Sequence, residues 1–173
     1  MPMESPLHGA AELCRLDAAE LSAAYRSRTL SPVEVANAAM DRAEAVNGDL
    51  NAFTFIDRSG AIEAAIASER RWRDGTPLSE VDGVPTTLKD IVWVNGWSVR
   101  YGSTTTPATP YREDAPSVAR LRAAGAVFVA QTTTPEFGWK AITDSALFGI
   151  TRNPWNSSKT PGGSSGGAAV AAA

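Results

Sequence analysis

Pro161-Gly162-Gly163-Ser164-Ser165-Gly166-Gly167, followed by Ala168-Ala169-Val170-Ala171-Ala172-Ala173, decides how the rest of this 173-residue sequence is read. Glycine lets a backbone take unusual angles and approach another group closely, and alanine is the best helix former. The stretch therefore predicts a loop that opens a helix. Composition alone also fits a flexible Gly/Ser linker. Linkers join domains, whereas this loop runs into an Ala/Val segment with no polar face, the pattern of a helix buried on all sides. A phosphate-binding Walker loop is disfavoured because its closing Lys-Ser/Thr pair is missing.

The length suits one domain with a sizeable core, and 43% hydrophobic with 20% charged residues is ordinary globular composition. No internal repeat or boundary is visible, so residues 1–173 read as a single unit, with a helical part over 1–76 and a sheet-forming part over 77–173. A formal net charge of −3 leaves no basic footprint for DNA or an anionic membrane. Met1 to Leu16 lacks both a basic start and a continuous apolar run, so no signal peptide is expected. No segment is apolar for long enough to span a bilayer. Cys14 stands alone, which rules out an internal disulfide and fits a reducing cytoplasm. It is expected to be a small packed side chain.

His8 is the only histidine, in a Gly/Pro-bounded N-terminal stretch expected to be poorly ordered. A histidine-based triad would have to draw its base from that stretch, and a structural zinc site would lack ligands. Any nucleophile here needs a different base. No metal or other cofactor is expected.

Two capping boxes, Asp17-Ala18-Ala19-Glu20 and Ser31-Pro32-Val33-Glu34, each predict a helix start, the second with proline at the first helical position. Val35, Ala39, Met40, Ala43 and Val46 recur at helical spacing, and Asn47-Gly48 is expected to end that helix. Asn51 to Ile56 reads as a short strand and Ala61 to Arg73 as a helix ended by Gly75. Its charges, Glu69, Arg70, Arg71 and Arg73, read as a solvated face. Val84 to Leu88 reads as a strand that delivers Lys89 and Asp90 at its carboxyl end. Asp114-Ala115-Pro116 is expected to cap a helix through Ala124, and Ala126 to Ala130 suits a buried parallel strand. Alternating strands and helices imply an α/β fold: N-terminal helices, then part of a mixed, mainly parallel sheet flanked by helices. Ligands in such sheets bind beyond the carboxyl ends of the strands, where Lys89 and the Thr132-Thr133-Thr134 turn fall.

Taken by itself, a lysine at a strand end is most often a surface charge. However, Asp82-Gly83-Val84-Pro85-Thr86-Thr87-Leu88-Lys89-Asp90 resembles the segment of the amidase signature family that carries its catalytic lysine, and the Gly-Ser run resembles that family's second landmark. Between them Tyr101-Gly102-Ser103, Asp114-Ala115, the Arg120 to Ala126 block, Thr134-Pro135-Glu136-Phe137-Gly138 and the Phe148 to Trp155 block also resemble family blocks, in family order. The resemblance runs from about Leu78 to Ala173 and implies an incomplete amidase signature fold.

Family members hydrolyse or transfer amides with a Ser-cisSer-Lys triad. By motif position, the resemblance implies Lys89 as the base and Ser164 as the bridging serine after a cis Gly163-Ser164 peptide. It implies a nucleophilic serine some two dozen residues beyond Ala173, so the chain as given is expected to be inactive. Gly163, Ser165 and Asp90 would support the pair, and Thr132, Gly138, Trp139 and Phe148 would line the acyl pocket, with core packing as the plainer role for Trp139 and Phe148. The chemistry suits these residue types. A lysine with an ordinary pKa of about 10.4 costs about 4.6 kcal/mol to hold neutral at pH 7, and burial can lower that pKa by about 3 to 5 units.

The chain departs from the family where Ala130-Gln131-Thr132-Thr133 replaces a frequent Gly-Lys-Thr-Asn. Pro135-Glu136-Phe137 looks more like stand-alone amidases than the amidotransferase subunit that acts on misacylated tRNA. The resemblance thus implies a small-molecule amide substrate, with tRNA and partner subunits only under the amidotransferase alternative. A homo-oligomer is compatible with either. A natural short protein that keeps the fold as a non-catalytic binding module is the alternative from another class.

Overall fold

The computed structural model describes residues 9–173; His8, and with it the expectation of a poorly ordered N-terminal stretch, lies outside them. Three helices come first, each placed by local chemistry. After the short α1 (Ala10–Leu13), α2 (Ala18–Ser27) starts at Asp17, whose carboxylate accepts from the N–H groups of Ala19 and Glu20 while the Glu20 side chain accepts from the Asp17 N–H. α3 (Pro32–Leu50) repeats the device with Ser31 and Glu34. Both capping boxes satisfy N–H groups that have no partner within the helix.

Asn47-Gly48 does not end α3, which continues to Leu50. Asn47 lies in the last helical turn and reaches forward instead: its Oδ1 accepts from the N–H groups of Ala52 and Phe53, and its Nδ2 donates to the Phe53 carbonyl. A residue that reads as a turn former thus ties the helix end to β1 (Phe53–Ile56). α4 (Arg58–Asp74) follows, capped by Asp57 and ended by Gly75 in the left-handed conformation. Its charged run is only partly solvated, because Arg71 pairs with the buried Asp82 and Glu69 bonds to Ser31. Cys14 is exposed, not packed, because it lies just past α1, where Leu13 is the buried side chain.

β2 (Pro85–Lys89) and β3 (Val127–Thr132) pair in parallel, joined by a crossover that contains α5 (Pro116–Ala123). β1 adds to the other edge of β3 antiparallel, giving the order β1-β3-β2 in a mixed sheet. All six residues of β3 are buried, as a strand covered on both faces requires. Val127, Val129 and Ala130 pack with Met40, Ala43 and Ala65 of α3 and α4, whereas Phe128 joins Leu88, Trp97 and Val118. Two departures are local. Asp114 does not cap α5: its carboxylate takes the Arg122 guanidinium and the Asn95 N–H instead. α6 (Gly166–Ala172) is not buried on all sides, since Gly166, Gly167 and Val170 are buried while Ala169 and Ala171 are exposed. No helix among the described residues is long and apolar enough to cross a membrane.

Candidate active site

Lys89 is the last residue of β2, in register with Thr132 at the end of β3. This arrangement sends its side chain past the carboxyl ends of the parallel pair, where the Gly-Ser loop lies. Its Nζ donates to Ser164 Oγ at 2.8 Å and to Ser165 Oγ at 3.0 Å. Burial pushes the Lys89 ammonium below its ordinary range, and no carboxylate among the described residues pulls it back. A lysine so placed is closer to the neutral form that can accept a proton.

The loop that presents Ser164 is held by two threonines through three hydrogen bonds. Thr143 Oγ1 donates to the Gly162 carbonyl and accepts from the Gly166 N–H, and Thr134 Oγ1 donates to the Ser164 carbonyl at 3.4 Å. The Gly163–Ser164 peptide is cis. Glycine is needed here for proximity. A Cβ on Gly163 would fall 2.8 Å from the Ile142 backbone, and one on Gly167 would fall 2.5 Å from the Thr133 nitrogen. Both positions press backbone against backbone and admit no side chain.

Asp90 is fully buried and meets backbone only. Its carboxylate accepts from the N–H groups of Arg100 at 2.7 Å and Gly102 at 2.8 Å. Burial raises its pKa despite those two donors. It stabilises the loop after β2 and has no bond to Lys89. Thr132 is also fully buried, and its hydroxyl has no hydrogen-bond partner among the described residues. Gly138 lies against the loop: a Cβ there would be 3.8 Å from Ser164 Oγ.

The structure therefore brings Lys89, Ser164, Ser165 and Gly138 together, with Gly163, Thr132 and Asp90 as their supports. Trp139 is 87% exposed, so the plain core role fails for it, and it makes no hydrogen bond to Lys89 or Ser164. Phe148 is half-buried and contributes its carbonyl to Asn51 rather than to the serine loop. Thr134 and Thr143 were not legible as site residues. Thr134 belongs to the Thr132-Thr133-Thr134 turn, but Thr143 is a lone threonine with no motif around it.

The site is thus a strand-end lysine bonded to a glycine-held serine pair, on a mixed sheet with helices packed against it. The chain belongs to the Amidase family, whose profile matches residues 34–173. It is 40% identical over 162 residues to a glutamyl-tRNA(Gln) amidotransferase subunit of Acidothermus cellulolyticus, covering 94% of this chain and 32% of that protein. It is 39% identical over 158 residues to an acylamidase of Rhodococcus erythropolis, covering 91% and 33%. The native peptide amidase of Stenotrophomonas maltophilia superposes with a TM-score of 0.84 at 32% identity, over 91% of this chain and 34% of that one. The chain spans about a third of the length of the curated relatives it matches.

Proposed function

We propose that this chain is the first part of an amidase that hydrolyses a carboxylic acid amide to an acid plus ammonia or an amine, through a Ser-cisSer-Lys relay in the whole protein. The observation that carries this reading is the 2.8 Å bond from Lys89 Nζ to Ser164 Oγ, with the lysine pushed toward neutrality by burial. Lys89 is the base. It takes the proton of Ser164 while Ser164 takes the proton of a nucleophilic serine supplied beyond Ala173, and that serine attacks the amide carbonyl. The relay then returns the proton to the departing nitrogen as the C–N bond breaks and the acyl-enzyme remains. Water repeats the cycle, releasing the acid. Ser165 steadies Nζ, and Gly138 with Thr132 borders the acyl side.

Relatives named as an amidotransferase subunit support a second reading, a tRNA-linked amidotransferase with partner subunits. Pro135-Glu136-Phe137 favours the stand-alone enzyme. Lys89→Ala in the whole protein tests the first reading: amide turnover is expected to fall about 10²–10⁴-fold with an unchanged melting temperature. Turnover in the parent is expected to rise with pH as Lys89 loses its proton, and a flat profile or a fully active variant overturns its role. Activity only with added partner subunits and tRNA favours the second reading.

A further inference from the structure

The 3₁₀ turn Glu136–Gly138 lies beside Ser164, a Cβ on Gly138 falling 3.8 Å from its Oγ, and its conformation is unusual. Phe137 and Gly138 both have positive φ, +52° and +67°. For Phe137 this region is disfavoured by its Cβ and persists only where the surroundings hold it. What holds it is the loop after β2. The Phe137 N–H donates to the Tyr101 carbonyl at 2.7 Å, and the fully buried Ser103 donates through Oγ to Glu136 Oε1 at 2.6 Å. The Ser103 hydroxyl is itself aimed by Thr105, whose N–H donates to it at 3.2 Å. A hydroxyl–carboxylate bond of this length is of the stronger, charge-assisted kind. Tyr101 and Gly102 are in turn fastened to Asp90, the neighbour of Lys89.

We infer that Ser103 and Glu136 form a latch that fixes the height of the Phe137–Gly138 turn over Ser164, and so sets the size of acyl group admitted beside that serine. The two are positioning residues, acting through the backbone of Gly138. A released turn would keep Lys89 and Ser164 intact while opening the space that a bulky acyl group needs. The inference rests on the reading of Lys89 and Ser164 as the proton relay.

The test uses the whole protein with Ser103→Ala, Glu136→Ala and Glu136→Gln, the last retaining an oxygen that accepts from Ser103. Two quantities are read: the ratio of kcat/KM for an acetyl amide to that for a bulky aromatic acyl amide, and amide hydrogen exchange across residues 136–139. In both alanine variants the ratio is expected to fall about tenfold, a size typical of misplaced contacts in a specificity pocket, with faster exchange confined to the turn. Glu136→Gln is expected to restore both. An unchanged ratio in a folded, active Ser103→Ala protein overturns the latch, as does exchange at 136–139 that does not move. A parent inactive on every amide overturns the amidase reading instead, and the exchange measurement then decides the latch alone.

Discussion

The two ends of β2 each bear a fully buried aspartate, Asp82 before the strand and Asp90 after it, and the two carboxyls behave in opposite ways. Asp82 is gripped by Arg71 through two bonds of 2.7 and 2.6 Å and also accepts from the Leu78 N–H. Burial works against its ionisation, but those partners outweigh it and hold its pKa below the usual carboxylate range. Asp90 is hydrogen-bonded by backbone N–H donors alone, and burial wins there over those donors and the more distant charge of Arg100. A directly paired opposite charge stabilises the start of the strand, whereas at its far end neither Asp90 nor Lys89 has an ion-pair partner among the described residues, and Arg100 acts on Asp90 only as a nearby charge. Any carboxylate ion-paired with Lys89 would favour its ammonium form and spoil it for the base role proposed above.

The largest expected effect tests the stabilised end. Arg71→Met leaves Asp82 buried without its partner and is expected to cost about 3–5 kcal/mol in urea unfolding. The parent's Asp82 contribution is fully present above the ordinary carboxyl pKa of about 3.9 and is lost as pH falls through its lowered folded value. In Arg71→Met, burial, the largest influence on Asp82, is opposed by the Leu78 N–H without the guanidinium, so that contribution should reverse and decline as pH rises. A variant with parental stability would make the ion pair ornamental and erase the contrast.

Next in size is the serine pair at the other end. Ser164→Ala in the whole protein is expected to slow single-turnover acylation about a hundredfold, and Ser165→Ala less, with melting temperatures near the parent's. Equal losses, or losses confined to melting temperature, would make both serines structural.

Asp90→Asn sharpens the comparison further. Asparagine keeps one acceptor and turns its amide toward the second backbone donor, for an expected loss of about 1–2 kcal/mol. Because the folded pKa of Asp90 is raised, its contribution is complete below the ordinary carboxyl pKa and is lost as pH rises through the folded value. The gap between parent and variant should therefore be widest in acid and narrow toward neutral pH. Urea titrations at several pH values read it, and a constant gap would show that Asp90 ionises freely. The smallest effect belongs to Trp139→Ala, which at 87% exposure should shift stability by less than about 0.5 kcal/mol.

Much of this was legible because short-range chemistry wrote it. Asp17, Ser31 and Gly75 act within four residues of their own helix ends, and the apolar run of β3 needs no partner to be recognised. The Lys89 and Ser164 landmarks were legible as motifs. What escaped depends on distant groups. Asn47 spends its side chain on β1, Arg71 is drawn out of a charged run by Asp82, and Asp114 prefers Arg122 to the α5 terminus. Thr143 matters only because the Gly-Ser loop folds against it, and local patterning carries no trace of that.

The distance along the chain between Lys89 and Ser164 has a kinetic consequence. They lie 75 positions apart, and contacts across such a span form slowly because the intervening chain must first be ordered. Until the Gly-Ser loop docks, Lys89 is solvated and carries its proton like any surface lysine. The burial that loosens that proton depends on tertiary contacts and is absent from the unfolded chain. A chain in which that burial has not formed thus holds an ordinary ammonium group, and the lowered pKa belongs to the folded state.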